Sequence, residues 1–333
     1  MKYEIVTIGS ATVDHFADTD SELIRIDTRS SHEELIAFPL GSKLLIRELK
    51  TTTGGGGTNT AVAFSRLGLN TAFLGKLGDD ASAAFVLDRL KAEGVDFIGA
   101  RGGQTGLSVI LNSIKDDRSI LAYKGANDDL TPQDVPDFEA DWVYLSSMLN
   151  TSFDTVCELL RRPHRFRLAF NPSNYQARLG YEALKDVIDH TTLLVLNREE
   201  ACKLLGLNYI ELPPIEQLVT RLAKLPPQLF VITDGSRGAW VYDRTTLYHG
   251  KPMPDLRIVE TTGAGDAFAS TFTAALHMGH PVRDALDLAM TNSESVLGEK
   301  GAKEGLLTRE ALLERVARQH REIDTFASVS QPD

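Results

Sequence analysis

The chain has 333 residues, 42% of them hydrophobic and 24% charged, with a formal net charge of −11; its pI is near 5.3 and its mean hydropathy −0.14. That balance suffices for one large α/β domain or two smaller ones, and it excludes the disordered and membrane-spanning classes. An acidic chain is ill suited to non-specific binding of nucleic acid or anionic membranes, although a local positive site still admits a phosphorylated ligand.

The first ten residues, MKYEIVTIGS, show no basic region followed by an apolar stretch, so no secretory signal is expected and the setting reads as cytoplasmic. Residues 22–49 hold three short apolar clusters, Leu23-Ile24-Arg25-Ile26, Leu35-Ile36-Ala37-Phe38 and Leu44-Leu45-Ile46, separated by polar turns. Gly54-Gly55-Gly56-Gly57 then reads as a loop, followed by an apolar helix over 60–67 that Gly68 terminates. Two strands are predicted at 106–112 and 119–123, joined by the charged turn Lys115-Asp116-Asp117-Arg118. Short strands of this kind suggest a small sheet beside the main body, serving as a lid, a dimer contact or both.

From residue 142 onward the pattern becomes apolar strand, polar loop, amphipathic helix. Runs at 142–145, 167–170, 193–196 and 229–232 read as buried parallel strands. Each ends in small polar residues: Ser146 and Ser147, Asn171, Asn197, Thr233. Ligands of open parallel sheets bind outside the carboxyl ends of the strands, so these residues outline one edge for chemistry, or else they cap the helices that follow.

Thr261-Thr262-Gly263-Ala264-Gly265-Asp266 opens a helix predicted over 267–276. Glycines at a helix start let a ligand approach the backbone, and the free N–H groups there favour an anion. A carboxylate beside such a hole makes sense if it accepts a proton from a hydroxyl attacking a phosphate. The plainer alternative is a first-turn acid complementing the helix dipole. Neither GxxxxGK[ST] nor GxGxxG occurs, which removes the two commonest nucleotide-binding loops.

Taken together, the segments resemble the ribokinase-like (PfkB) carbohydrate kinases. Gly54 through Asp80 resembles their N-terminal signature and Thr261 to Asp266 their C-terminal one. Asn197-Arg198-Glu199-Glu200 is similar to the N-x-x-E motif, and Thr233-Asp234-Gly235-Ser236-Arg237-Gly238 to the nucleotide-binding T-x-G-x-x-G turn. Gly9 to Asp14 resembles the opening strand whose Asp holds the sugar; Gly125-Ala126-Asn127 and the stretch from Asn292 to Ala302 also fall in order.

The resemblance implies an α/β fold of ribokinase type: a mainly parallel central sheet flanked by helices, with a small β lid. It implies a large domain over 1–14, 51–103 and 126–320, a lid over 15–50 and 104–125, and a C-terminal tail over 321–333. The implied activity is ATP-dependent transfer of the γ-phosphoryl group to a hydroxyl of a sugar or sugar-like acceptor. Asp266 would be the general base, with the backbone of Gly263, Ala264 and Gly265 as the anion hole. Asp14, Gly55, Gly56 and Asn59 would bind the acceptor. Asn197 and Glu200 would organise Mg²⁺. Thr233, Gly235 and Gly238 would shape the ATP pocket, with Asn292 near the base. Separately from the resemblance, exposed lid strands favour a homodimer that covers their edge. A nucleoside kinase of the same family, and a non-catalytic sugar- or nucleotide-binding regulator, remain the alternatives; the intact Asp266 and Glu200 argue against the latter.

Three positions depart from the family pattern. Glu260 stands where the signature has Asp, which weighs against activation by K⁺ or another monovalent cation. Asp234 puts a negative charge beside the expected nucleotide phosphates. Ser146-Ser147-Met148 lacks the acidic residue that ribokinases place against the sugar. Elsewhere plainer readings prevail: His277 and His280 mark a helix end, Lys43 a solvated edge, Cys157 and Cys202 core positions, and Asp79-Asp80 a turn with a helix cap.

Overall fold

Along the strand Glu139–Leu145, Val143 and Leu145 enter one hydrophobic layer while Trp142 and Tyr144 enter the opposite one. That alternation is the pleat of a strand buried on both faces, and it sets the architecture of this computed structural model, which describes residues 1–19, 22–27, 32–41, 43–112 and 118–327.

Ten strands make the large sheet, in the order Ile323–Ala327, Thr246–Gly250, Ala239–Tyr242, Leu229–Thr233, Thr191–Asn197, Arg167–Phe170, Glu139–Leu145, Lys2–Ile8, Thr71–Leu74 and Asp96–Phe97. Pairing is parallel from Asp96–Phe97 to Leu229–Thr233, and antiparallel for the three strands beyond it. The four strands expected at 142–145, 167–170, 193–196 and 229–232 are all present as neighbours. One face is covered by the helices Asn150–Arg161, Gly180–Ile188, Arg198–Leu204 and Ile215–Leu222. The other carries Gly56–Arg66, Ala264–His277, Val282–Leu297 and Arg309–Arg318. No helix among the described residues is long and apolar enough to cross a membrane.

From Lys2–Ile8 the chain adds strands on one side, then returns to add Glu139–Leu145 on the other. This reversal is the switch point at which open α/β sheets bind ligands. Gly9 and Ser146, immediately beyond the two strands, meet there: a Cβ on Gly9 would fall 1.9 Å from Ser146 Oγ.

A second sheet of four strands is ordered Arg118–Tyr123, Gly106–Asn112, Thr12–Thr19 and Ile46–Gly54. A separate hairpin pairs Glu22–Asp27 with His32–Ala37. Lys115, Asp116 and Asp117 of the predicted turn lie outside the described residues. The small sheet reaches further than the expected 15–50: it includes Asp14, paired in register with Thr52 and Ser108. Asp14 therefore belongs to the small sheet and not to the opening strand, which stops at Ile8.

The C-terminal segment also differs from expectation. Residues 323–327, assigned to a tail, form the edge strand of the large sheet. Arg321 is 7% exposed, with Nη1 and Nη2 each donating to Glu294 at 2.7 Å and Nε to Asp287 at 2.9 Å. Alternation of Ile323, Thr325 and Ala327 with Asp324 and Phe326 suits an edge strand.

Candidate active site

The glycine run is not a loop. Gly56 and Gly57 form the first turn of the helix Gly56–Arg66, with Gly55 at φ +93° as its cap. Each glycine meets something a side chain would displace. A Cβ on Gly54 would lie 1.8 Å from Asp14 Oδ2, and one on Gly56 would lie 2.9 Å from Ser146 Oγ and 3.6 Å from Asp266 Oδ1. Bare backbone thus brings three polar side chains to one spot.

Asp266 comes from the other side. Its helix starts at Ala264, capped by Gly263 at φ +81°. A Cβ on Gly263 would strike Ala302 Cα at 2.6 Å, so the cap packs directly on the 301–303 turn. Gly265 faces open space. At the helix start Ala264 N donates to Thr261 O at 3.4 Å, while Gly263 N and Gly265 N have no backbone acceptor among the described residues, the arrangement an anion favours.

Asn59 Nδ2 donates to Asp266 Oδ2 at 2.8 Å, joining the two helices. Burial pushes the Asp266 carboxyl up to about 6, against the Asn59 hydrogen bond and the Lys303 ammonium, which pull it down; Asp14 adds to the rise. The carboxyl is thus ionised at neutral pH and close enough to its pKa to take a proton. Two polar atoms near it, Asn59 Oδ1 and Ser146 Oγ, are buried without a hydrogen-bond partner among the described residues. Unsatisfied acceptors and donors are costly in a protein interior unless a ligand completes them. Asp14 is itself buried, with Thr12 Oγ1 donating to its Oδ1 at 2.8 Å.

Adjoining this spot is a cleft of about 330 Å³ bordered by Thr233, Gly235, Gly238, Ala264, Gly265 and Phe268, with Leu256, Ile258, Met290 and Leu297 on the far wall. Its lining is mostly apolar, with glycine-rich turn backbone at Gly235 and Gly238 on one side, which suits a flat heterocycle. Asn292 does not reach it. Its Nδ2 donates to Thr271 Oγ1 at 2.8 Å and its Oδ1 accepts from Leu307 N at 3.0 Å, so it pins helices together in the core. The wall is instead supplied by Ser293 and Met290 of the same helix, on its adjacent face.

Asp234 turns away from the cleft. It is buried between two arginines: Arg198 Nη1 bonds Oδ2 at 2.5 Å, Arg237 Nε bonds Oδ2 at 2.8 Å, and Arg237 Nη2 bonds Oδ1 at 2.6 Å. Its charge is neutralised and its pKa lowered, the guanidinium bonds outweighing burial. The expected repulsion of nucleotide phosphates therefore does not arise.

Asn197 and Glu200 form a reciprocal helix cap, Asn197 Oδ1 accepting from Glu200 N at 2.8 Å and Glu200 Oε2 from Asn197 N at 2.9 Å. One carboxylate oxygen of Glu200 remains outside the cap. Burial lifts its carboxyl to about 7, beyond what Lys203 offsets. A buried carboxyl without a balancing cation fits Mg²⁺, which commonly takes one or two carboxylates with substrate phosphates and waters. No group of three His, Cys, Asp or Glu among the described residues could hold a metal unaided. Burial raises the pKa of the Tyr144 phenol well above its ordinary value, and the Asp266 and Glu200 charges add to the rise.

His277 pairs with Glu4 at 3.2 Å, Asp80 caps the helix Ala81–Ala92, and both cysteines are buried. Lys303, which drew no attention in the sequence, is 2% exposed and donates to Thr53 O at 2.7 Å. A lysine in a Gly-Ala-Lys-Glu-Gly turn reads as solvated, and nothing local signals its burial.

The pattern of the pfkB family carbohydrate kinases matches residues 4–309. The ribokinase of Bacillus subtilis (strain 168) is 31% identical over 278 residues, covering 81% of this chain and 89% of that one. Among solved structures, Arabidopsis thaliana ribokinase complexed with ribose and ATP matches with a TM-score of 0.76 at 21% identity, covering 95% of this chain and 99% of that one. Adenosine kinase from Sinorhizobium meliloti matches with a TM-score of 0.76 at 24% identity, covering 95% and 100%. The chain belongs to the pfkB family of carbohydrate kinases, phosphotransferases that act on a hydroxyl acceptor.

Proposed function

We propose that this chain transfers the γ-phosphoryl group of ATP to a hydroxyl of a small sugar or sugar-like acceptor, with Asp266 as the general base. The observation that carries the reading is the meeting of Asp266, Asn59, Asp14 and Ser146 around side-chain-free backbone at the sheet's switch point. The acceptor's hydroxyls would satisfy Asp14, Ser146 Oγ and Asn59 Oδ1, with Gly55 and Gly56 allowing close approach. Asn59 holds the Asp266 carboxyl in place, and Asp266 takes the proton of the attacking hydroxyl. The helix start at Gly263, Ala264 and Gly265 cradles the moving phosphoryl group, while Thr233, Gly235 and Gly238 seat the nucleotide. Asn197 and Glu200 would hold Mg²⁺, which when bound neutralises phosphate charge.

The small sheet, roughly residues 15–50 and 104–125, acts as the lid that excludes water, and its outward apolar side chains Leu49, Ile120 and Leu121 suit a homodimer. Cytoplasmic ATP and Mg²⁺ fit this chemistry. Glu260, whose Oε1 is bonded by Thr262 Oγ1, stands where the family signature has Asp and weighs against activation by K⁺. A panel of sugars and nucleosides, scored by ADP release at saturating Mg·ATP with and without K⁺, tests it. Turnover with nucleosides alone would overturn the sugar assignment, and a monomeric mass in solution would overturn the dimer.

A further inference from the structure

The turn that carries Lys303 joins three parts of the site. Lys303 Nζ donates to Thr53 O, on the small-sheet strand that carries Gly54. Its carbonyl accepts from Arg66 Nη1 at 2.7 Å, at the end of the helix that carries Asn59. Its neighbour Ala302 abuts Gly263, the cap of the helix that carries Asp266. An ammonium has three N–H donors, and among the described residues only one finds a hydrogen-bond acceptor. Taking such a charge out of water is costly unless nearby carboxylates compensate it.

Those carboxylates are the ones the reaction uses. Asp14 and Asp266 both act on the Lys303 charge, together with Glu304 from its own turn and, in the opposing sense, Arg89. Neither Asp14 nor Asp266 makes a direct ion pair with it. Asp266 in turn feels Lys303, Asp14 and the Asn59 amide, and its charge reaches Tyr144. Beyond Lys303, Glu93 is held by Arg66 and Arg89.

We propose that Lys303 is a positioning residue of the phosphoryl-transfer site: a buried cation that ties the Thr53–Gly54 edge of the small sheet to the Gly263 cap and holds Asp266 ready to act as the base. The inference rests on the reading of Asp266 as the base. Without the nearby cation, burial and the Asp14 charge would favour the protonated form of Asp266, and the base would be spent before the acceptor arrives. Burial draws the ammonium down to about 8, so the arrangement operates between the titrations of Asp266 and Lys303.

The test uses the full-length, ligand-free protein labelled with ¹³C at Asp carboxyls, the Asp266 resonance being assigned by its loss in Asp266→Asn. The expected curve has its main inflection near 6 and a smaller one near 8 as Lys303 loses its proton. In Lys303→Met the main inflection rises by about one pH unit or more; in Lys303→Arg it stays, and the inflection near 8 vanishes. An unmoved Asp266 curve in Lys303→Met, with thermal stability alone reduced, would show a structural tie and overturn the proposal. If Lys303→Met does not fold, a wild-type curve with a single inflection overturns it as well. Turnover by Asp266→Asn in the acceptor panel fails the base reading separately, because it leaves the titration curves untouched.

Discussion

Asn59 Nδ2 and Asp266 Oδ2 lie 2.8 Å apart although 207 residues separate them in sequence. The amide uses its donor on the carboxylate and leaves its own oxygen buried and unpaired. An amide held this way fixes the carboxylate's rotation and presents an acceptor to whatever enters beside it. Replacing Asn59 by Ala removes both, so kcat should fall about 10–100-fold, the range of a positioning contact to a general base. Asn59→Asp should be worse and should move the acid limb of kcat/KM upward, because two carboxyls in contact cannot both ionise. Steady-state kinetics across pH 5–9 checks both.

Asp266→Asn should lower kcat by about three orders of magnitude or more while nucleotide KM changes little, since the side chain acts on the acceptor proton. In the wild type, Asp266 must be ionised to act, and its pKa is raised to about 6. Activity should therefore be full above that value and fall about tenfold per unit below it. A rate still flat at pH 5 would contradict the assignment.

Gly54→Ala would drive a methyl group to within 1.8 Å of Asp14 Oδ2. Asp14 must swing out of place, so acceptor KM should rise about tenfold or more with ATP affinity preserved. Isothermal titration with nucleotide, paired with acceptor kinetics, separates the two effects.

Arg321→Met would leave Glu294, 5% exposed, as a buried carboxylate without its partner. Breaking a buried pair this way costs about 3–5 kcal/mol, so thermal unfolding should shift down by several degrees or more. Because Glu294 also borders the proposed nucleotide cleft and accepts from Met253 N, ATP affinity should weaken in the same variant. Stability lost without any change in nucleotide binding would uncouple the two.

Glu200→Gln removes a carboxylate oxygen from the proposed Mg²⁺ position while keeping the cap acceptor to Asn197 N. The half-saturating Mg²⁺ concentration should rise about tenfold, with unfolding temperature nearly unchanged. An unaltered Mg²⁺ requirement would move the metal elsewhere.

Much of the large sheet was legible because parallel strands buried on both faces are unbroken apolar runs, as in Leu193-Leu194-Val195-Leu196. The convergence of Asp14, Asn59 and Asp266 was legible only through resemblance, since no local pattern joins residues so far apart. Five features escaped, for four separable reasons. The glycine run reads as a loop because glycine disfavours helices, yet packing against Ser146 and Asp14 requires it at the helix start. Asn292 and Ser293 sit one residue apart on a helix, about 100° in rotation, and only the packed structure tells which one faces the cleft. The charge of Asp234 depends on Arg198, 36 residues away. Lys303 and Arg321 look like solvated cations until their surroundings are assembled around them.

The chain crosses between the two sheets within a narrow region. Gly57 N bonds Ser10 O at 3.0 Å, and the Asn127 amide grips Ala11 on both sides, accepting from its N at 2.8 Å and donating to its O at 3.0 Å. Gly55 alone separates a strand of the small sheet from a helix of the large layer, and a Cβ there would lie 2.4 Å from Ser10 O. Mechanically, the small sheet hangs on four crossings crowded together, around Ser10, Gly55, residues 102–105 and residues 124–125. A swing of the sheet has to be shared among all four, and the share taken at Gly55 turns the first residues of the helix bearing Asn59. Movement at that crossing therefore reaches the hold on the Asp266 carboxylate.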